Sequence, residues 1–81
     1  MLVLPCIDMK QTGRNIHTLR VEHGFSVRQL QDYFGFSTPQ AIYKWQHGDA
    51  LPSVDNLLAL SVLFQVPMER ILIVHEQPTD P

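Results

Sequence analysis

The sequence predicts an all-α fold, a compact domain of five short helices joined by tight turns. Three observations predict it. Apolar residues recur at helical spacing through successive stretches, while strand signals are nearly absent. Capping residues and glycines bound those stretches. The chain has 81 residues, 44% hydrophobic and 17% charged, which suits a single folded core without a second module. A chain this short buries only about 60% of its unfolded surface, so well-capped helices matter more than usual.

The first helix is expected from Thr12 to His23, with Ile16 and Leu19 on one face and Gly24 as its stop. Ser26-Val27-Arg28-Gln29 reads as a capping box, in which the hydroxyl and the amide side chain each satisfy a free backbone N–H. It opens a second helix with Val27, Leu30 and Phe34 turned inward. Gly35 closes that helix, because glycine takes the left-handed conformation at no steric cost. Thr38 is the expected cap of the third helix and Pro39 its first residue, where the missing N–H has no partner to lose. Ala41, Ile42 and Trp45 form its buried stripe, and Gly48 ends it.

After Asp49-Ala50-Leu51-Pro52, Ser53 caps a fourth helix, with Asp55 placed well for the helix dipole. It runs through Leu57, Leu58, Leu60, Leu63 and Phe64. A short fifth helix begins near Pro67 and includes Ile71 and Leu72. The chain thus divides into an N-terminal arm (1–11), a helical domain (12–74) and a flexible tail (75–81).

Net charge is −2, yet its distribution is uneven. Residues 1–48 carry +2 (Lys10, Arg14, Arg20, Arg28 and Lys44 against Asp8, Glu22 and Asp32), and residues 49–81 carry −4. A mildly basic front half permits a nucleic-acid partner without requiring one. The lone Cys6 allows neither an internal disulfide nor a cysteine-rich zinc site. His17, His23, His47 and His75 never stand four apart on one helix face, so no metal or other cofactor is expected. There is no long apolar run and no basic lead before Leu2-Val3-Leu4, which argues for a cytoplasmic protein without a membrane span. Five short helices leave little room for an enclosed substrate site, and no enzyme is expected.

The informative stretch is Ser26 to Gly48, a capped helix, a short reversal and a second capped helix. A helix-turn-helix of this kind sets its second helix in the DNA major groove, which is about as wide as one helix with its side chains. The residue order resembles the Xre/Cro family of bacterial and phage DNA-binding domains. The likeness rests on Leu19-Arg20 before Gly24, on Ser26 with Leu30 and Gly35, and on Ile42, Trp45 and Gly48. It continues in Leu51-Pro52-Ser53 with Leu57 and Leu60, and in Val66 with Ile71-Leu72. The resemblance covers about residues 13–73. It implies a compact five-helix lambda repressor-like domain with a central helix-turn-helix, acting as a small transcriptional regulator of the repressor kind.

On that resemblance, the recognition helix spans about 39–47, and Gln40 and Lys44 face bases. Gln bonds adenine through N6 and N7, and Lys donates to guanine O6 and N7. Pro39 offers an apolar surface to a thymine methyl, and Tyr43 reads equally as a DNA contact or as a surface residue. Thr38, Arg28, Arg14 and His47 are candidate phosphate contacts, although Arg14 and Arg28 read more readily as solvated charges. Trp45 is core. Arg20 is structural, tying the first helix to the third through Gln46, where the family often has a carboxylate.

Further departures are Val27, where the family commonly has a phosphate-binding Gln, and Asp49 in a loop that is often basic. These favour an alternative, a helix-turn-helix module that mediates protein interaction or dimerisation without DNA. Ala59, Val62, Ile73, Val74 and the N-terminal arm form an apolar set that suits a homodimer, unless the arm folds over this surface instead.

Overall fold

In the computed structural model, which describes residues 2–78, three of the helices open on a capping side chain and close on backbone N–H groups. Helix α1 (Met9–Glu22) starts at Asp8, whose carboxylate accepts from the Gln11 N–H at 2.9 Å. Met9, Lys10 and Gln11 are therefore helical and do not belong to an arm. Helix α2 (Val27–Phe34) opens on the expected box: the Gln29 N–H donates to Ser26 Oγ at 3.0 Å, and the Ser26 N–H donates to Gln29 Oε1 at 2.7 Å. Gly35 follows at φ 71°, the left-handed conformation that turns the chain toward the next helix.

Helix α3 (Gln40–His47) begins one residue later than expected. Pro39 occupies the capping position, and Thr38 makes no capping hydrogen bond. A capping oxygen has to sit on the residue whose carbonyl starts the helical ladder. Here that carbonyl belongs to Pro39, which accepts from the Tyr43 N–H at 3.2 Å. Helix α4 (Val54–Phe64) is capped by Ser53, whose hydroxyl accepts from the Asn56 N–H at 3.3 Å. Helix α5 (Met68–Ile71) is a single turn, and Leu72 beyond it is extended rather than helical.

The all-α expectation needs correction. Strands β1 (Val3–Ile7) and β2 (Val74–Pro78) pair antiparallel, with Val3 opposite Pro78 and Ile7 opposite Val74. Much of the expected arm and flexible tail therefore forms a two-stranded ribbon; Thr79, Asp80 and Pro81 of that tail lie outside the described residues. Each strand has five residues and contains a proline, so neither announces itself locally. The Asp8 N–H donates to the Ile73 carbonyl at 2.8 Å, which marks a hydrogen-bonded position of the ladder. Antiparallel alternation then puts Pro5 and Pro78 in non-hydrogen-bonded pairs, where a missing N–H faces the free edge. Proline is tolerated there, and it also denies a donor to any strand approaching that edge.

The core comprises Ile16, Leu30, Ile42, Leu60, Phe64 and Ile71, with Trp45 and Leu57 buried beside them. Trp45 packs edge-on against Phe34 at 5.4 Å and Phe36 at 5.9 Å between ring centroids. Thr12 is fully buried, and its hydroxyl oxygen accepts from the Ile73 N–H at 2.9 Å, fastening the base of the ribbon to α1. Helices α1 and α3 approach each other closely at Gly13. A Cβ on Gly13 would come within 2.6 Å of the carbonyl oxygens of both Trp45 and Gln46, so only glycine lets the two backbones meet.

Candidate nucleic-acid interface

Helix α3 has two distinct faces. Ile42 and Trp45 are buried and Ala41 is half-buried, whereas Gln40, Tyr43, Lys44 and His47 are exposed. Those four stand at i, i+3, i+4 and i+7, and therefore share one side of the helix. Tyr43 and His47 stack at 6.3 Å between ring centroids. Thr38 is exposed just before the helix, and Pro39 is half-buried at its start.

Three contacts hold α3 against α1. One is the bare backbone of Gly13. Lys10 Nζ donates to the His47 carbonyl at 3.0 Å, placing a cation at the negative end of the helix dipole. Arg20 Nε donates to Gln46 Oε1 at 2.8 Å, linking the two helices side chain to side chain. Lys10 and Gly13 carried no functional expectation in the sequence. An isolated glycine within a helical stretch was the available signal for the second.

Beside the exposed face lies an open groove of about 640 Å³ between α1 and α3. Arg14, His17 and Arg20 line it from α1; Tyr43, Gln46 and His47 line it from α3. Thr18 and Val27 complete the lining, and none of these residues is acidic. Of the expected phosphate contacts, Arg14 and His47 meet here, while Arg28 and Thr38 do not line the groove. Arg28 is exposed and pairs with Asp32 at 3.2 Å within α2, an ion pair that water competes with readily. His17 and Thr18 were not singled out from sequence. Their spacing from Arg14 puts all three on one side of α1, and this was the only hint.

The sequence profile of the helix-turn-helix family of Xre, lambda repressor-like type matches residues 16–71. The chain belongs to that family. Among solved structures, this helix-turn-helix domain is similar to the DNA-binding domain of BldD. The likeness has a TM-score of 0.67 at 23% identity, and covers 80% of this chain and 93% of that one. It is equally similar to the S. venezulae BldD DNA-binding domain, with a TM-score of 0.67, 23% identity, and 80% and 96% of the two chains covered. At that identity the likeness shows the fold alone. No curated protein matches the sequence. Family membership supports a DNA-binding transcription regulator. Among the described residues no helix is long and apolar enough to cross a membrane, and no cluster of three or more His, Cys, Asp or Glu could hold a metal.

Proposed function

We propose that this helix-turn-helix chain binds double-stranded DNA sequence-specifically, as a small transcriptional repressor that sets α3 in the major groove. The observation that carries the reading is the exposed row of Gln40, Tyr43, Lys44 and His47 on a helix anchored by its opposite side. An anchored helix presents its donors at fixed positions, which is what base discrimination needs. In this reading Gln40 recognises adenine, Lys44 recognises guanine, and Pro39 and Tyr43 make apolar or edge contacts. Thr38, Arg28, Arg14 and His47 approach phosphates, and the protein acts by binding rather than by catalysis.

A duplex selected from a random pool, titrated by fluorescence anisotropy, tests this. Lys44→Ala should relax discrimination at one base pair by about 1–3 kcal/mol. Unchanged affinity and preference would overturn the assignment of Lys44. A second reading, a protein-interaction module, is favoured by the groove-lining Val27, which offers no donor, and by the exposed Asp49. Failure of the wild-type chain to bind any duplex at tens of micromolar and low salt would select that module.

We also propose a homodimer, since two half-sites need two such helices. Val62 and Val74 are exposed and support it, whereas Ala59 and Ile73 are half-buried. The N-terminal strand pairs with β2, and the apolar row left exposed on α4 is Val54, Leu58 and Val62.

A further inference from the structure

Arg20 is half-buried in the wall of the groove, and every acceptor it meets is uncharged. Its Nε donates to Gln46 Oε1 at 2.8 Å, and its Nη1 donates to the Phe25 carbonyl at 2.7 Å. Its Nη2 lies 3.2 Å from His17 Nδ1. A guanidinium only donates, so Nδ1 is the acceptor in that contact. Among the described residues the one ion pair is Arg28–Asp32, elsewhere on α2. The Arg20 charge is thus hydrogen-bonded but not neutralised. Arg14 adds a second cation to the same groove, and no lining residue opposes either charge.

Position 46 decides this balance. A carboxylate there would neutralise Arg20 internally, whereas the Gln46 amide accepts the hydrogen bond and leaves the charge facing the groove. A partly desolvated charge without a counter-charge is costly, and an anion entering from outside would relieve that cost. With Oε1 engaged by Arg20, the amide NH2 of Gln46 remains as a further donor in the lining. The groove shares Tyr43 and His47 with the exposed face of α3, so an anion seated in it would lie beside whatever α3 contacts.

We propose that this groove seats one backbone phosphate of the bound duplex, with Arg20 as its half-buried cation and Arg14 and Gln46 as flanking donors. The inference rests on the DNA-binding reading and deepens it: Gln46 sets the anion affinity of the groove as well as tying α1 to α3.

Gln46→Glu is the discriminating variant, because it keeps an acceptor for Arg20 while cancelling its charge. The expected result is a thermal midpoint equal to or above wild type, together with weaker operator binding. The slope of log K against log salt should become shallower by about 0.9, the share of one phosphate. Preference among operator variants should stay unchanged. A purely structural Gln46 also predicts a firm helix tie, but with undiminished binding. Wild-type affinity and slope in Gln46→Glu would overturn the proposal while leaving the DNA reading intact. Absence of wild-type binding to any duplex would overturn both. Arg14→Gln, at an exposed position, should give the same shallower slope and serves if Gln46→Glu does not fold.

Inorganic phosphate without DNA, compared with chloride at equal ionic strength, separates the two phosphate sources. Stabilisation of wild type but not of Gln46→Glu, with identical operator slopes, would mean that the groove takes free phosphate and not the duplex.

Discussion

Replacing Gly13 by Ala opposes two effects of different sign. By helix propensity alone the change should stabilise α1 by about 1 kcal/mol. The structure predicts the reverse. The new Cβ would lie 2.6 Å from the carbonyl oxygens of Trp45 and Gln46 and 2.9 Å from the Gln46 carbonyl carbon. Ordinary contacts begin at about 3.5 Å, so the helices would have to separate by roughly 0.9 Å. All three obstructing atoms are backbone, so no side chain can rotate out of the way. Overpacking of this kind costs about 3 kcal/mol at the upper end of its usual range. Set against the propensity gain, the net loss is about 2 kcal/mol. For a domain of this size that lowers the thermal midpoint by roughly 8–16 °C.

Far-UV circular dichroism during thermal unfolding measures the shift, with Gly24→Ala as the control. Gly24 sits at φ +74° with open space around its missing Cβ, so that variant reports backbone strain without a clash. A Gly13→Ala midpoint at or above wild type would refute the close-approach argument. It would also remove the chief reason for treating α3 as rigidly placed.

Two other outcomes follow from the packing around the ribbon. Thr12→Val keeps the buried shape but removes the oxygen that accepts from the Ile73 N–H at 2.9 Å, so stability should fall by about 1–3 kcal/mol. Hydrogen exchange at the Ile73 amide should accelerate along with it, and unchanged exchange would mean that the ribbon is held by other contacts. Sedimentation equilibrium at high micromolar concentration should give twice the 9.3 kDa chain mass, reduced to one by Val62→Lys. A monomer mass for wild type would remove the homodimer.

Much of the helical frame was legible because its determinants are local. The box of Ser26 and Gln29, the left-handed Gly35 and the Ser53 cap each join atoms no more than a turn or so apart. Periodicity likewise picked out the buried Ile42 and Trp45, while the family resemblance pointed Gln40 and Lys44 outward, where they are exposed. Where local signals competed, the reading slipped. Thr38-Pro39 looked like cap and first residue, but the bend before α3 carried the ladder's first carbonyl to Pro39. Asp8 three residues before Gln11 was a usable cap signal, but no apolar periodicity followed closely enough to draw attention to it.

By itself, then, the sequence determined where α2 starts and stops, where α4 starts and where α3 ends, which side of these helices is apolar, and which polar residues share the outer side of α3. Packing between distant segments decided the rest. The Cys6 thiol donates diagonally across the ribbon to Gln77 Oε1, 71 positions away along the chain. Gly13 meets the carbonyls of α3, and Arg14 and His17 converge with Tyr43 and His47 around one groove. Hydrogen bonds within a turn depend only on neighbouring residues. Helix separation, strand pairing and the charge balance at Arg20 depend on which surfaces the whole chain buries together.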